Sequence, residues 1–361
     1  MRQLLRWTTI VPLVSLASLA VSWGSKGLPA LTLVLLGVLL AASVLAAVHH
    51  AEVVAHKVGE PFGSLVLAVA VTVIEVGLIV MLMLSGGPGV ETLARDTVFA
   101  AVMITTNGIV GLALLIAGLR HHLSYFNAEG SGAALATVLT LTVMTLVLPT
   151  FTTSAPVGKF SGSQLAFAAV MSLLLWVLFV LAQTVQHRDF FLPVNSRGEI
   201  LPDEHAEVPT VPETWTSVGL LLASLVCVVG LAKVESPAIE GAVSAAGLPS
   251  SFVGVVIALL VLLPETLAAT RNAGRKRIQV ALNLGYGSAI ASIGLTVPVI
   301  AVAATLLQMP LQLGLAPVHL VLLGLTAVVG VLTVVPGRAT RLQGSVHLVI
   351  LAAYLFLSAV P

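Results

Sequence analysis

Glu75 and Glu265 are the residues of this 361-residue chain whose setting asks for chemistry. Leu65 to Met83 reads LVLAVAVTVIEVGLIVMLM and carries Glu75 near its middle as its one charge. Ser251 to Thr270, SFVGVVIALLVLLPETLAAT, holds Glu265 deep inside a second apolar run. An ionised carboxylate at bilayer depth costs about 2.5–3.5 kcal/mol on insertion scales, and more in simulations. A chain that bears this cost twice puts those acids to use. No Lys or Arg lies well inside an apolar run, so each glutamate must be protonated, bind a mobile cation or face water. A carboxyl group that alternates between a proton and a metal ion does all three in turn.

The neighbouring residues supply oxygen. Ser64, Ala68, Thr72 and Glu75 fall at spacings of four, four and three, so they share one helical face; Gly285, Ser288, Ser292 and Thr296 share another. Thr105, Thr106 and Asn107 lie midway along TVFAAVMITTNGIVGLALLIAG. Hard oxygen donors suit Ca²⁺, Na⁺ or H⁺ better than soft metals. The candidate cation- and proton-binding residues are therefore Glu75 and Glu265, supported by Thr72, Asn107, Ser288 and Ser292. Pro264 cannot donate a backbone hydrogen bond, which frees the carbonyl near Leu260. Broken helices beside a buried acid are how many secondary transporters build ion sites. Blander roles stand beside these: Gly285, Gly287 and Gly294 also suit tight helix packing, and membrane Ser and Thr commonly bond their own backbone. A structural role accounts for one buried glutamate more readily than for two in mirrored positions.

Positioning such residues takes membrane-spanning helices. Hydrophobic residues make up 58% of the chain and charged residues 9%, with a mean hydropathy of +1.10. No soluble core needs that much apolar surface, so the chain reads as an all-α polytopic membrane protein. A net charge of +1 without a basic patch gives no sign of nucleic acid. Cys227 is the only cysteine, which excludes an intrachain disulfide and a cysteine-ligated cluster, and it reads as a packed thiol. Apolar runs separated by polar punctuation give eleven spans, at about 8–23, 29–48, 62–84, 97–118, 132–151, 164–184, 215–233, 250–270, 279–307, 316–335 and 343–360. Ser18-Leu19-Ala20 resembles a signal-peptide cleavage site, yet more spans follow at once, which favours a retained first helix.

Charge sets the expected orientation. With the N-terminus cytoplasmic, twelve of the sixteen Lys and Arg fall inside, and only Lys26, Arg95, Lys159 and Lys233 fall outside or at the outer margins. Gln186 to Glu213 is polar and proline-rich, and reads as a cytoplasmic linker. The expected organisation is an extra helix in 1–28, a five-helix repeat in 29–185, the linker in 186–214 and a second five-helix repeat in 215–361. Five is odd, so the second set enters the membrane with opposite polarity, as in an inverted repeat. A pseudo-two-fold axis in the membrane plane would then bring Glu75 and Glu265 face to face. Seven of the nine histidines, among them His49, His50, His121, His122 and His205, map to the cytoplasmic side. They could sense pH or bind metal, though four sit at helix C-termini, where the dipole favours cations.

The segment GEPFGSLVLAVAVTVIEVGLI (Gly59 to Ile79) and the segment LPETLAATRNAGRKRIQVALNLGYGSAIASIGLTVPVI (Leu263 to Ile300) resemble the two α-repeats of the calcium/cation antiporter superfamily, which here would cover about 59–118 and 250–307. Within it the chain is most similar to the bacterial ChaA-type calcium (sodium, potassium)/proton antiporters, and the resemblance extends over nearly its whole length. It implies eleven helices and an alternating-access exchanger of the inner membrane that exports Ca²⁺, or Na⁺ or K⁺, against H⁺. It makes Glu75 and Glu265 the essential ion-binding glutamates, with Asn107 and Ser288 on supporting helices. Its partners are small cations, protons and the bilayer, with no cofactor; it leaves the oligomeric state open. One departure matters: many calcium/proton exchangers of this superfamily place Gly-Asn shortly before each glutamate, where this chain has Val71-Thr72 and Val261-Leu262. Fewer side-chain oxygens weaken the case for Ca²⁺ and keep a monovalent Na⁺(K⁺)/H⁺ antiporter as the alternative. A channel is disfavoured by inverted halves without a pore loop. An intramembrane enzyme is disfavoured by the lack of an embedded aspartate pair or an HExxH motif.

Overall fold

A computed structural model of the chain describes residues 6–25, 27–59, 62–86, 89–195, 197–200 and 209–361, the side chains of 62–65 excepted. Lys26, Glu60, Pro61, His205 and the side chain of Ser64 thus lie outside the described residues. The helices fall into two compact units that do not follow the halves of the sequence: one is residues 1–90 with 205–253, the other 91–204 with 254–361.

The first unit contains α1 (Trp7–Ser22), α2 (Ala30–Val58), α3 (Phe62–Ser85) and α9 (Val211–Ala245). Small residues let these helices approach closely, as packing in lipid requires. A Cβ on Gly77 of α3 would sit 2.6 Å from Val229 Cγ2 of α9, and one on Gly230 of α9 would sit 2.5 Å from Leu19 of α1. Ala46, Ala47 and Ala51 of α2 are fully buried. Pro12 interrupts the ladder of α1 and leaves the Thr8 carbonyl without its i+4 donor; His50 Nε2 of α2 donates to it at 2.9 Å. Ser43 Oγ donates to Ser15 Oγ at 2.9 Å, and the Cys227 thiol, buried as expected, donates to the Pro12 carbonyl at 3.5 Å. The first helix is therefore built into this unit. A capping box starts α9: Glu213 N–H donates to Thr210 Oγ1, and Thr210 N–H to Glu213 Oε2.

The second unit begins with one long span made of α4 (Val90–Met103), a π-helical turn (Ile104–Ile109) and α5 (Val110–His121). There follow α6 (Ala128–Thr142), a π turn and α7 (Leu148–Phe151), then α8 (Gly162–Leu181), α10 (Phe252–Val261), α11 (Leu263–Gly274), α12 (Ile278–Leu306), α13 (Pro317–Val334) and α14 (Arg341–Ala359). A short antiparallel ribbon, β1 (Leu123–Tyr125) on β2 (Arg338–Thr340), ties the end of α5 to the start of α14 and is the small exception to an all-α fold. α12 is the axial helix of this unit, packed on α5, α6, α8 and α11. Gly294 lets it cross α8, where a Cβ would meet Trp176 Cβ at 2.6 Å.

Among the described residues, nine helices are long and apolar enough to cross a membrane, and the bent pair α10–α11 makes a tenth if counted as one span. α1, at 16 residues, is shorter than the roughly 20 that a bilayer takes. The run expected as one span over 250–270 is bent by 53° at Leu262. Pro264 explains the break, since it cannot donate to the carbonyl of Leu260.

Candidate ion site

Glu75 sits midway along α3 in the first unit and is 4% exposed. Thr72, one turn earlier, is also buried; its hydroxyl donates to the Ala68 carbonyl at 2.8 Å. That bond uses the proton and leaves lone pairs able to meet a cation. The apolar length of α3, without proline, keeps the helix unbroken through Glu75.

Glu265 lies in the second unit, 9% exposed, in the first turn of α11, with Pro264 in the same turn. The break at Leu262 creates a helix N-terminus in mid-span, and Glu265 occupies its positive end. Thr266 Oγ1 donates to the carbonyl of Leu262 at 2.7 Å, satisfying the hinge residue. α11 packs on α12, on α5 and on the π turn, so the structure gathers the helices of Glu265, Asn107, Ser288 and Ser292 within one unit. Ser292 is buried and Ser288 half-buried on the α12 face that also carries Gly285. Added to Gly285, a Cβ would lie 3.1 Å from Val110 Cγ2 and 3.3 Å from the Thr105 carbonyl, so a glycine is what lets α12 cross the π turn.

The hydroxyls and amide of the π turn are engaged inside the unit. Thr105 Oγ1 donates to the carbonyls of Ala101 and Val102, and Thr106 Oγ1 to that of Val102. Asn107 Nδ2 donates to Thr326 Oγ1 at 3.0 Å and to Thr106 Oγ1 at 3.2 Å. His347 Nδ1 donates to Asn107 Oδ1 at 3.0 Å, which leaves its Nε2 to accept from the Thr333 hydroxyl at 3.1 Å. Asn107, Thr326, Thr333 and His347 are all buried, so this network ties the π turn to α13 and α14.

Two further acids are buried, just outside the expected span limits at 97 and 233. Asp96 lies within α4 and is 5% exposed; Arg95 pairs with it at 2.7 Å and Thr92 Oγ1 donates to it at 2.8 Å. Glu235, also 5% exposed, lies inside α9, which continues a dozen residues past the expected end at 233 (245 − 233), and its Oε1 has no hydrogen-bond partner. The signal for Glu235 was present: nothing in VESPAIEGAV stops a helix except Pro237, which α9 absorbs. His50 bridges Thr8 and Ser217, and among the described residues no group of three or more His, Cys, Asp or Glu is arranged to hold a metal ion.

Comparison with known proteins places this architecture. The family model for the sodium/calcium exchanger protein matches residues 28–185 and 216–360. The chain is 44% identical to y4hA of Sinorhizobium fredii over 98% of its own length and 96% of that protein. It is 33% identical to the sodium-potassium/proton antiporter ChaA of Escherichia coli, covering 96% of this chain and 94% of that one. The solved structure of native YfkE shares its fold, with a TM-score of 0.71 at 16% identity, over 98% of this chain and 99% of that one. The matched segments contain Glu75, Glu265, the broken helix and the π turn of Ile104–Ile109, and the chain belongs to the sodium/calcium exchanger family of the calcium/cation antiporter superfamily.

Proposed function

We propose that this membrane protein exchanges a hard cation for protons, with Glu75 and Glu265 as the groups that hold either in turn. The observation that carries this reading is a pair of buried carboxyl groups on apolar helices, one in each compact unit. With protons or a cation aboard, the charge of the carboxylates is neutralised and the protein can change its access. With neither, two charges bear the desolvation penalty and the change is suppressed. That asymmetry makes transport an exchange instead of a leak. Thr72, Ser288 and Ser292 offer neutral oxygens, and Asn107 acts by holding the π turn in place.

The organisation that goes with this reading is an inverted pair of five-helix repeats, 29–185 and 215–361, after an extra helix. The N-terminus is cytoplasmic, the membrane is a bacterial inner membrane, and no cofactor takes part beyond the transported ions. The proposed cargo is Ca²⁺ moving outward, whose two charges match two carboxylates. A second reading, Na⁺ or K⁺ in place of Ca²⁺, is favoured by the similarity to a sodium-potassium/proton antiporter. It is also favoured by the engagement of Asn107 elsewhere, because Ca²⁺ asks for six to eight oxygens.

The test is proton movement in proteoliposomes on addition of Ca²⁺, Na⁺ or K⁺ in parallel against an imposed pH gradient. Cation-dependent proton flux is expected for the native protein and none for Glu75→Gln or Glu265→Gln. Full exchange in either variant refutes the assignment, and the cation giving the largest flux settles the cargo.

A further inference from the structure

We propose that a pocket of the second unit, remote from Glu265 along α11, is a binding site for a phosphate group. The cavity holds about 310 Å³ and lies where α5 ends, β1 begins and the chain turns from α11 into α12. His121, Ser124, Asn195 and Lys276 are the polar residues of its wall; Leu123, Val194 and Ile278 are apolar ones.

Two groups of this pocket are costly without an occupant. Ser124 is 5% exposed and its hydroxyl has no hydrogen-bond partner; His121 Nε2 is likewise buried and unpartnered. Each such group costs about 1–3 kcal/mol when left unsatisfied. The backbone is held against its preference as well. Lys276 has φ +64° and His122, beside His121, has φ +63°, two of only three left-handed non-glycine residues among those described. Outside glycine this conformation costs about 1–2 kcal/mol.

The donor set selects the occupant. A hydroxyl, an imidazole N–H and an ammonium group are all donors to an oxyanion, and among the described residues no carboxylate lines the cavity to hold a metal. Asn195, also on the wall, gives one amide N–H to Glu199 Oε2 and accepts at Oδ1 from the backbone N–H of Arg197 and Glu199. The surroundings are basic: Arg275 and Arg277 flank Lys276 in sequence, and Arg120 Nη1 donates to the Gly274 carbonyl at 3.4 Å. The apolar wall leaves room for an organic body, so a phosphate ester fits as well as the free ion. Lys276 lies eleven residues beyond Glu265 (276 − 265), roughly 16 Å along a helix. An occupant would therefore clamp the turn joining the Glu265 helix to the Ser288 helix without touching either residue.

The full-length protein in detergent, melted with inorganic phosphate or with chloride at matched ionic strength, provides the first arm of the test. The second arm melts the protein in lipid nanodiscs with and without phosphatidic acid. The comparison variant is Ser124→Ala with Lys276→Gly, which removes two donors while deleting an orphaned hydroxyl and relieving the left-handed strain, so its unliganded melting should not fall. Phosphate is expected to raise the melting temperature of the native protein, with the apparent affinity weakened about tenfold or more in the variant. A variant-sensitive shift with phosphatidic acid alone assigns the site to a lipid headgroup, and one with inorganic phosphate assigns it to a soluble ion or ester. No shift from either, or an equal shift in native and variant, overturns the proposal. The readout is binding, so it is independent of whether exchange is observed.

Discussion

α3 and the α10–α11 pair present the same group in different ways. Glu75 rides an unbroken helix of 24 residues, while Glu265 follows a 53° bend and opens a new helix. The difference comes from Pro264, for which α3 has no counterpart before Glu75. A helix N-terminus favours a negative charge by about 0.3–1 kcal/mol, and more in partly buried geometry. Glu265 therefore has the end of its own helix to help carry charge, whereas Glu75 lies inside an unbroken one. Two acids equal in sequence pattern are thus unequal in physical setting: Glu265 is the better resident for a cation's partner charge, and Glu75 the costlier carboxylate to leave bare.

Removing either charge should have the largest effect. Glu75→Gln and Glu265→Gln are both expected to cut cation-driven proton flux by at least about a hundredfold while melting near the native temperature, since each replaces a buried acid with its neutral isostere. Glu75→Asp against Glu265→Asp then sharpens the comparison. The shorter side chain should be tolerated better at the helix N-terminus, where Asp is at home, so Glu265→Asp should keep the greater residual flux. The reverse order would break the distinction between the two sites.

Next in size is the packing beneath them. A Cβ on Gly254 of α10 would lie 2.7 Å from Thr97 N and 2.8 Å from the Asp96 carbonyl carbon, both backbone atoms. One on Gly77 of α3 would meet a methyl group of Val229. A side chain can turn aside and a backbone cannot. Gly254→Ala should therefore destabilise by about 3 kcal/mol, at the upper end for overpacking, and Gly77→Ala by nearer 1 kcal/mol. Denaturant melts of the two variants in one detergent give the ranking; equal losses would mean that α10 shifts as freely as a valine rotamer.

The bend itself can be tested through its cause. Pro264→Ala restores a donor for the Leu260 carbonyl, so α10 and α11 should straighten toward the geometry of α3. Stability should rise slightly and exchange fall about tenfold, about 1.4 kcal/mol of barrier. Exchange at the native rate would show that the break is held by packing and that the proline is incidental.

Much of this was legible beforehand. The burial of Glu75 and Glu265, most of the spans and the break before Pro264 follow from apolar run length and one residue without an N–H. What stayed hidden depends on partners far along the chain. Asn107 looked like an ion ligand because it stands with two threonines in mid-span, but its amide meets Thr326 and His347, 219 and 240 residues away. The π turn has no composition signal of its own. Glu235 was missed because Lys233 looked like the end of a span, while α9 runs on to Ala245. The division into units was hidden for the same reason: α9 packs with α2 and α3, and α5 with α11, α12 and α14 from the other half.

The smallest predicted effect separates a hydroxyl that serves the ion from one that serves the helix. Thr72 in the first unit and Thr105 in the second both donate to their own backbone, at 2.8 Å and 2.7 Å. Thr105 is fully buried, and its proton is shared between two carbonyls. Thr105→Val should leave exchange within about twofold and stability within about 1 kcal/mol. Thr72 lies one turn before Glu75, and its lone pairs can complete a cation's shell. Thr72→Val should therefore weaken apparent cation affinity roughly fivefold, the worth of about one neutral contact, with the maximal rate unchanged. Equal and negligible effects at both positions would leave the carboxyl of Glu75 as the one side-chain ligand of α3. That result would move the cargo toward a monovalent ion, whose smaller charge asks for less from the protein.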